Sequence, residues 1–192
     1  MEKRLTCMTW LLAGTIILAS CKKPKDDDPI TPPPVNEEEV INRITLHFHS
    51  SHDAEHKHFE FHDADGDGGL APVITADTLS HDSVYNVELE LYNTTVSPAD
   101  NVTEEIEDEH NVHQFFFQVS GANAAVAYAD TDDNGLPVGL QTVWTIGAAS
   151  DGTLTVTLRH DPDKTAPGVS GGDITNAGGE TDLEVSFPLV IE

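Results

Sequence analysis

Histidine is concentrated in one short stretch of the chain. Six of the ten histidines lie within residues 47–62, and most of them are two positions apart. Alternate side chains of a β-strand point to the same face, so this spacing predicts a row of imidazoles on one strand face. Imidazole suits Zn²⁺, Cu²⁺ and Ni²⁺, whereas Ca²⁺ and Mg²⁺ prefer oxygen ligands. The stretch therefore predicts a site for a divalent transition metal.

Apolar residues between the histidines predict a β-hairpin and restrict its register. Phe48 and Phe59 must face the same core, so the numbers of paired residues must sum to an odd value. A sum of 105 pairs His49 with His56, while a sum of 107 pairs it with His58. Opposed Cβ atoms lie about 4.5–5.5 Å apart, which lets two imidazoles reach one metal. The predicted metal ligands are His47, His49, His56, His58, Glu60 and His62.

Two acidic turns are candidates for calcium. Residues 63–69 begin like an EF-hand loop, with oxygen ligands at positions one, three and five and glycine at six. Position twelve is Ile74 instead of glutamate, so this is no true EF-hand. Residues 130–135 repeat the same order, and plain turns are the alternative because Asp and Asn favour them. The candidate calcium ligands are Asp63, Asp65, Asp67, Asp130, Asp132 and Asn134.

A third candidate lies between a predicted helix and a strand. Glu109, His110 and His113 could form a second metal site or complete the first. The alternative is a helix C-terminus that attracts a cation. His160, at the end of another strand, is interpreted as the start of a turn. Because we find no phosphate loop, nucleophile elbow or Ser/His/Asp arrangement, and a strand face forms no pocket, we expect binding and no enzyme activity.

These residues must be positioned by a mainly β domain. Alternation is clear in residues 153–159, where Leu154, Val156 and Leu158 share one face. Gly, Asp and Asn clusters separate the strands. We predict an antiparallel β-sandwich, immunoglobulin-like or a similar Greek key, with one short acidic helix. The predicted strands are residues 40–50, 55–63, 83–92, 112–119, 124–130, 139–146, 153–160 and 181–191.

The acidic helix is predicted from a capping box and an apolar stripe. Ser97 and Pro98 match an N-cap and a first helical position. Val102 and Ile106 are four residues apart, so they share the face that docks on the sandwich. The glutamates around them are interpreted as a solvated surface.

The N-terminus predicts a lipid anchor. A basic start and an apolar run over residues 10–19 precede Leu18-Ala19-Ser20-Cys21, which resembles the bacterial lipobox. The run is too short to span a membrane comfortably. We predict a signal peptide over residues 1–20, lipidation at Cys21, a Pro/Asp-rich tether over residues 21–36 and a single domain over residues 37–192. The membrane is then a partner through the lipid.

Charge restricts the partners further. The chain has 34 acidic and 9 basic residues and a net charge of −25. Such a chain repels phosphate, so we expect no nucleic-acid partner. Lys25-Asp26-Asp27 resembles the export signal of surface lipoproteins. We expect an outer-membrane lipoprotein, with surface display as a further expectation and an outer-membrane transporter or a surface ligand as candidate partners.

The order of these pieces resembles an uncharacterised family of small acidic lipoproteins of Bacteroidota-type bacteria, and it does so over nearly the whole mature domain. The resemblance implies a surface or periplasmic lipoprotein with a β-sandwich domain, without site residues to carry over. It rests on the lipobox and acidic tether, Asp63-Ala-Asp-Gly-Asp-Gly-Gly, Glu104-Glu-Ile-Glu-Asp-Glu109, His113-Gln-Phe-Phe-Phe117, Gly152-Thr-Leu-Thr-Val-Thr-Leu-Arg-His160 and Ala177-Gly-Gly-Glu-Thr-Asp-Leu-Glu-Val185.

The leading hypothesis is thus a lipid-anchored envelope protein that captures zinc, copper or nickel through the His-rich hairpin. The main alternative is a surface interaction domain for glycan or protein, stabilised by calcium. A metal-dependent hydrolase is a weaker alternative, since catalysis needs an open coordination position and a positioned base.

Overall fold

The computed structural model describes residues 39–52, 54–66 and 68–192, all within a compact unit that spans Glu37–Glu192. The predicted signal peptide, Cys21, the tether and Asp67 lie outside the described residues. Among those described, no helix has the length and apolar character that crossing a membrane requires.

The domain is an antiparallel β-sandwich with one short acidic helix, so the predicted fold class is confirmed. A six-stranded sheet with the order β3-β2-β1-β4-β7-β6 faces a three-stranded sheet with the order β5-β8-β9. The strands are β1 (Arg43–Ser50), β2 (His56–His62), β3 (Val73–Ala76), β4 (Val84–Tyr92), β5 (His113–Ser120), β6 (Ala124–Tyr128), β7 (Gln141–Ile146), β8 (Ser150–His160) and β9 (Glu180–Ile191), with the helix α1 (Val102–Asp108) between β4 and β5.

Aromatic rings fill the space between the sheets. Phe48 of β1 lies 4.8 Å from Phe59 of β2 and 5.3 Å from Trp144 of β7, measured between ring centroids. Phe187 of β9 contacts Phe59 from the opposite sheet at 5.7 Å. These rings are fully buried. The alternating apolar residues therefore face one core, as the strand pattern predicts.

Two local predictions differ from the structure. The helix begins at Val102 with Asn101 as its N-cap, so a start at Pro98 is wrong. Asn93 and Asp100 exchange two backbone hydrogen bonds of 3.0 and 2.9 Å, which close the preceding segment into a loop. The second difference is β3, an exposed edge strand that was not predicted.

The docking stripe of the helix is confirmed. Ile106 is completely buried and Val102 is nearly so. Thr103 Oγ1 also accepts a hydrogen bond of 2.8 Å from the backbone N–H of Leu91 in β4. The helix is thus held against one end of the large sheet, just before the chain enters β5.

Candidate metal sites

The hairpin of β1 and β2 has the register whose paired residue numbers sum to 105. His47 lies opposite His58 and His49 lies opposite His56. The alternative sum of 107 is wrong. The chain reverses where the backbone N–H of Ser50 donates to the carbonyl of Glu55 at 3.0 Å. This closing bond sets the register, and the alternation then places all four imidazoles on the outer face.

The four imidazoles form two cross-strand pairs. The Nδ1 atoms of His49 and His56 lie 2.8 Å apart, with the rings nearly perpendicular. The rings of His47 and His58 are also perpendicular, with centroids 5.0 Å apart. His47 Nε2 further contacts the carboxylate of Glu90 on β4 at 3.1 Å. A small spread of the first pair would let both nitrogens bind one ion, since zinc–nitrogen bonds measure about 2.0–2.1 Å.

Two of the predicted hairpin ligands have other contacts. Glu60 accepts a hydrogen bond of 2.8 Å from Arg43, its ion-pair partner across the strands. His62 Nε2 lies 3.1 Å from Thr94 Oγ1. The structure therefore brings together four of the six predicted ligands. Within the described ranges, the hairpin contains no close group of three such ligands.

Asp65, Asp130 and Asp132 use their carboxylates in local hydrogen bonds, whereas Asp63 Oδ1 is buried and has no hydrogen-bond partner among the described residues. Asp65 accepts a 3.3 Å hydrogen bond from the amide of Leu70, and the backbone carbonyl of Asp63 accepts the side chain of Asn42. In the second turn, Asp130 accepts the amides of Gly139 and Gln141. Calcium at either turn stays a prediction.

Asp132 is the centre of the second turn. Its Oδ1 accepts the amides of Asn134 and Leu136, each at 2.9 Å. Its Oδ2 lies 3.0 Å from the ammonium of Lys164, and both side chains are buried. The ammonium of Lys164 therefore already neutralises the carboxylate that was predicted to bind calcium. The Asn134 side chain donates instead to Asn111 Oδ1 at 3.2 Å.

A third group brings together residues from three strands of the small sheet. His113 at the start of β5 lies opposite His160 at the end of β8, with ring centroids 4.6 Å apart. Asp182 of β9 points its carboxylate at both rings, with Oδ2 lying 3.7 Å from His113 Nε2 and 3.9 Å from His160 Nδ1. The ligand atoms of the three residues all lie within 4.8 Å of one another. This part of the molecule therefore contains a group that could hold a metal ion.

Asp182 reaches this position through a β-bulge. Leu158 pairs with Leu183 but Arg159 pairs with Thr181, so the ladder between β8 and β9 skips Asp182. A bulge redirects the side chain of the extra residue. As a result the Asp182 side chain is fully buried, although the neighbouring Thr181 is exposed.

Carboxylates surround His113. An oxygen of Glu39 and one of Glu109 each come within 4.8 Å of a nitrogen of this imidazole. Burial, a hydrogen bond with Glu105, and the charges of Glu105, Glu109 and Asp182 raise the pKa of Glu39 to about 7. Burial lowers the pKa of His113, which favours the neutral imidazole, the metal-binding form.

The predicted trio of Glu109, His110 and His113 is only partly assembled. His110 turns toward the second acidic turn, with Nδ1 2.5 Å from the carbonyl of Glu107 and Nε2 3.4 Å from Asp133. His113 and Glu109 do come together. His160 and Asp182 were missed, because the first was interpreted as a turn and nothing in the sequence marks the second.

Comparisons of the chain with protein-family models, with curated proteins and with solved structures each found no match.

Proposed function

We propose that this chain is a lipid-anchored protein of the bacterial envelope that captures divalent transition metal ions on the outer face of the β1–β2 hairpin. The observation in support is the pair of His49 and His56, whose Nδ1 atoms lie 2.8 Å apart beside the pair of His47 and His58. Anchoring through Cys21 and an outer-membrane location belong to the proposal on the strength of the lipobox.

Exposure of the face suits capture. His56 and His58 are exposed, while His47 and His49 are half-buried, so an ion can reach the nitrogens without opening the core. Two imidazoles, with water as the remaining ligands, suit Zn²⁺, Cu²⁺ or Ni²⁺ better than Ca²⁺, which prefers oxygen ligands. Ligands that solvent reaches exchange their ion easily, which fits transfer to a partner such as an outer-membrane transporter.

Calorimetric titration of the full chain, purified without a histidine tag, tests the proposal. We define the hairpin variant as the chain in which His47, His49, His56 and His58 are all changed to Gln. The matched control changes His52 and His81, which are exposed and outside the paired positions, to Gln. We expect the hairpin variant to lose one class of Zn²⁺, Cu²⁺ or Ni²⁺ binding sites and the control to keep it.

The expected dissociation constant is below about 10 µM, equivalent to about 7 kcal/mol of binding free energy. An unchanged number of sites and unchanged affinities in the hairpin variant would contradict capture at this face. A titration in which only Ca²⁺ binds would favour the calcium-stabilised interaction domain instead.

A further inference from the structure

We infer that His113, His160 and Asp182 form a second metal site, separate from the hairpin face, that retains one divalent transition metal ion such as Zn²⁺. These three residues are called the inner site below. The inference does not rest on the proposed function of the hairpin, because no residue is shared between the two sites.

The distances between the ligand atoms of the three side chains are close to those found around a bound zinc ion. Tetrahedral zinc with bonds of 2.0–2.1 Å separates its ligand atoms by about 3.4 Å. In the inner site, Asp182 Oδ2 lies 3.7 Å from one imidazole nitrogen and 3.9 Å from the other. Movements of a few tenths of an ångström therefore bring the carboxylate oxygen to the spacing of a shared ion with each nitrogen. The two imidazole nitrogens lie within 4.8 Å of each other, on residues that pair across neighbouring strands.

The orientation of His113 gives independent support. Its Nδ1–H donates to the carbonyl of Glu109 at 3.2 Å, which leaves the lone pair on Nε2. That nitrogen is fully buried, has no hydrogen-bond partner among the described residues and faces the Asp182 carboxylate. A lone pair and a carboxylate repel each other at this distance, and a cation between them, either a proton on Nε2 or a metal ion, removes that repulsion.

A backbone carbonyl that orients a histidine is the usual outer support of a metal ligand. His160 Nδ1 is likewise buried, has no hydrogen-bond partner among the described residues and lies 3.9 Å from the same Asp182 oxygen. Two imidazole nitrogens thus converge on one carboxylate. This donor set is that of zinc sites and is unsuited to Ca²⁺ or Mg²⁺, which take six or more oxygens.

Nearby charge favours the same ion. Glu39 and Glu109 lie close to His113, and Glu109, together with Glu39 when it is ionised, adds to the negative charge of Asp182. A divalent cation would reduce this repulsion. The ligand atoms of the inner site are buried, so solvent has little access to an ion bound there. The inner site is therefore assigned to retention of an ion.

The hairpin variant isolates the inner site, since its four substitutions lie on the outer surface. We expect the full-length hairpin variant to bind one Zn²⁺ per chain and to melt at a higher temperature when Zn²⁺ is present. In that background, Asp182→Asn should weaken Zn²⁺ binding more than tenfold. The matched control is Asp161→Asn, because that carboxylate lies 3.8 Å from the outer nitrogen of His160 and is exposed. It should retain the affinity within about twofold.

X-ray absorption at the zinc edge gives a test that needs no folded Asp182 variant. For the zinc-loaded hairpin variant we expect nitrogen and oxygen ligands at about 2.0–2.1 Å, with the scattering of two imidazoles. A hairpin variant that binds no Zn²⁺, a first shell without imidazole, or equal affinity in Asp182→Asn and Asp161→Asn would overturn the inference. If the unmodified chain binds Zn²⁺ and the hairpin variant does not, the inner site is ruled out, but the proposed capture at the outer face is not.

Discussion

Histidine occurs in this domain in two environments that differ in their exposure to water. His49 and His56 pair on an outer strand face, where solvent reaches the ring nitrogens. His113 and His160 pair at the end of the core beside the buried carboxylate of Asp182, and a backbone carbonyl orients His113. Exposed ligands favour rapid exchange of an ion, and buried ligands favour retention. The same residue type therefore fits the proposed capture at one site and the inferred retention at the other.

At the residue scale, the buried pair of Asp132 and Lys164 allows a direct prediction. Asp132→Asn leaves the Lys164 ammonium buried beside a neutral group, so we expect a loss of about 3 kcal/mol in the free energy of unfolding at pH 7. Urea denaturation measures this loss. Asp133→Asn is the matched control, because its side chain is 76% exposed, and it should cost under about 1 kcal/mol.

The loss should depend on pH in a defined direction. Burial raises the pKa of Asp132, but the amides of Leu136 and Asn134 and the Lys164 ammonium outweigh burial and hold it below its ordinary value. A lowered carboxyl pKa stabilises the fold above the unfolded pKa, and this contribution disappears as the pH falls through the folded value. The difference between wild type and Asp132→Asn should therefore begin to shrink below about pH 4 and disappear only when the pH has fallen through the lowered folded pKa. A difference that grows in acid would contradict this assignment.

At the scale of elements, alternation explains which parts were predictable. The alternation of apolar residues in β1 and β2 predicts that the histidines lie on the outer face. It is satisfied by both registers, in which paired residue numbers sum to 105 or to 107. The turn closed by Ser50 and Glu55 decides between them, and turn geometry was not evident in the sequence. Continuing the apolar rows of β5 and β8 by two residues would have placed His113 and His160 inside, so that signal was present.

Asp182 shows the limit of the same logic. Regular alternation from Leu183 and Val185 puts residue 182 on the outer surface, and only the bulge in β9 turns it inward. A bulge depends on pairing with β8, which is distant in sequence. The edge strand β3 was missed for a related reason, since four mostly exposed residues present no clear periodicity.

The helix α1 links packing to the inner site, because Glu109 at its C-cap provides the carbonyl that orients His113. Ile106→Ala removes a fully buried side chain from the docking stripe and should cost about 3 kcal/mol of unfolding free energy. Urea denaturation measures this cost, and Glu107→Ala, an exposed neighbour, is the control with an expected effect below about 0.5 kcal/mol. Equal stabilities of the two variants would show that the helix does not depend on its stripe.

At the scale of the whole molecule, charge dominates. The net charge of −25 creates a negative potential that attracts cations to any site on the surface. It also opposes the compact state through self-repulsion. Carboxylates gathered around the inner site are a local case of this repulsion, since burial, a hydrogen bond with Glu105 and the charges of Glu105, Glu109 and Asp182 raise the pKa of Glu39 to about 7. We therefore expect the binding of cations to stabilise the fold.

This coupling predicts how stability responds to a monovalent salt. Raising NaCl from 0.01 to 0.3 M shortens the screening length from about 30 Å to under about 8 Å, which weakens repulsion between distant carboxylates. We expect the melting temperature in the presence of a metal chelator to rise by several degrees at pH 7. The control is the same titration near pH 4.4, the isoelectric point of the sequence, where repulsion is small and the rise should vanish. A melting temperature that falls with NaCl at pH 7 would show instead that favourable ion pairs, such as Arg43 with Glu60, outweigh repulsion between carboxylates.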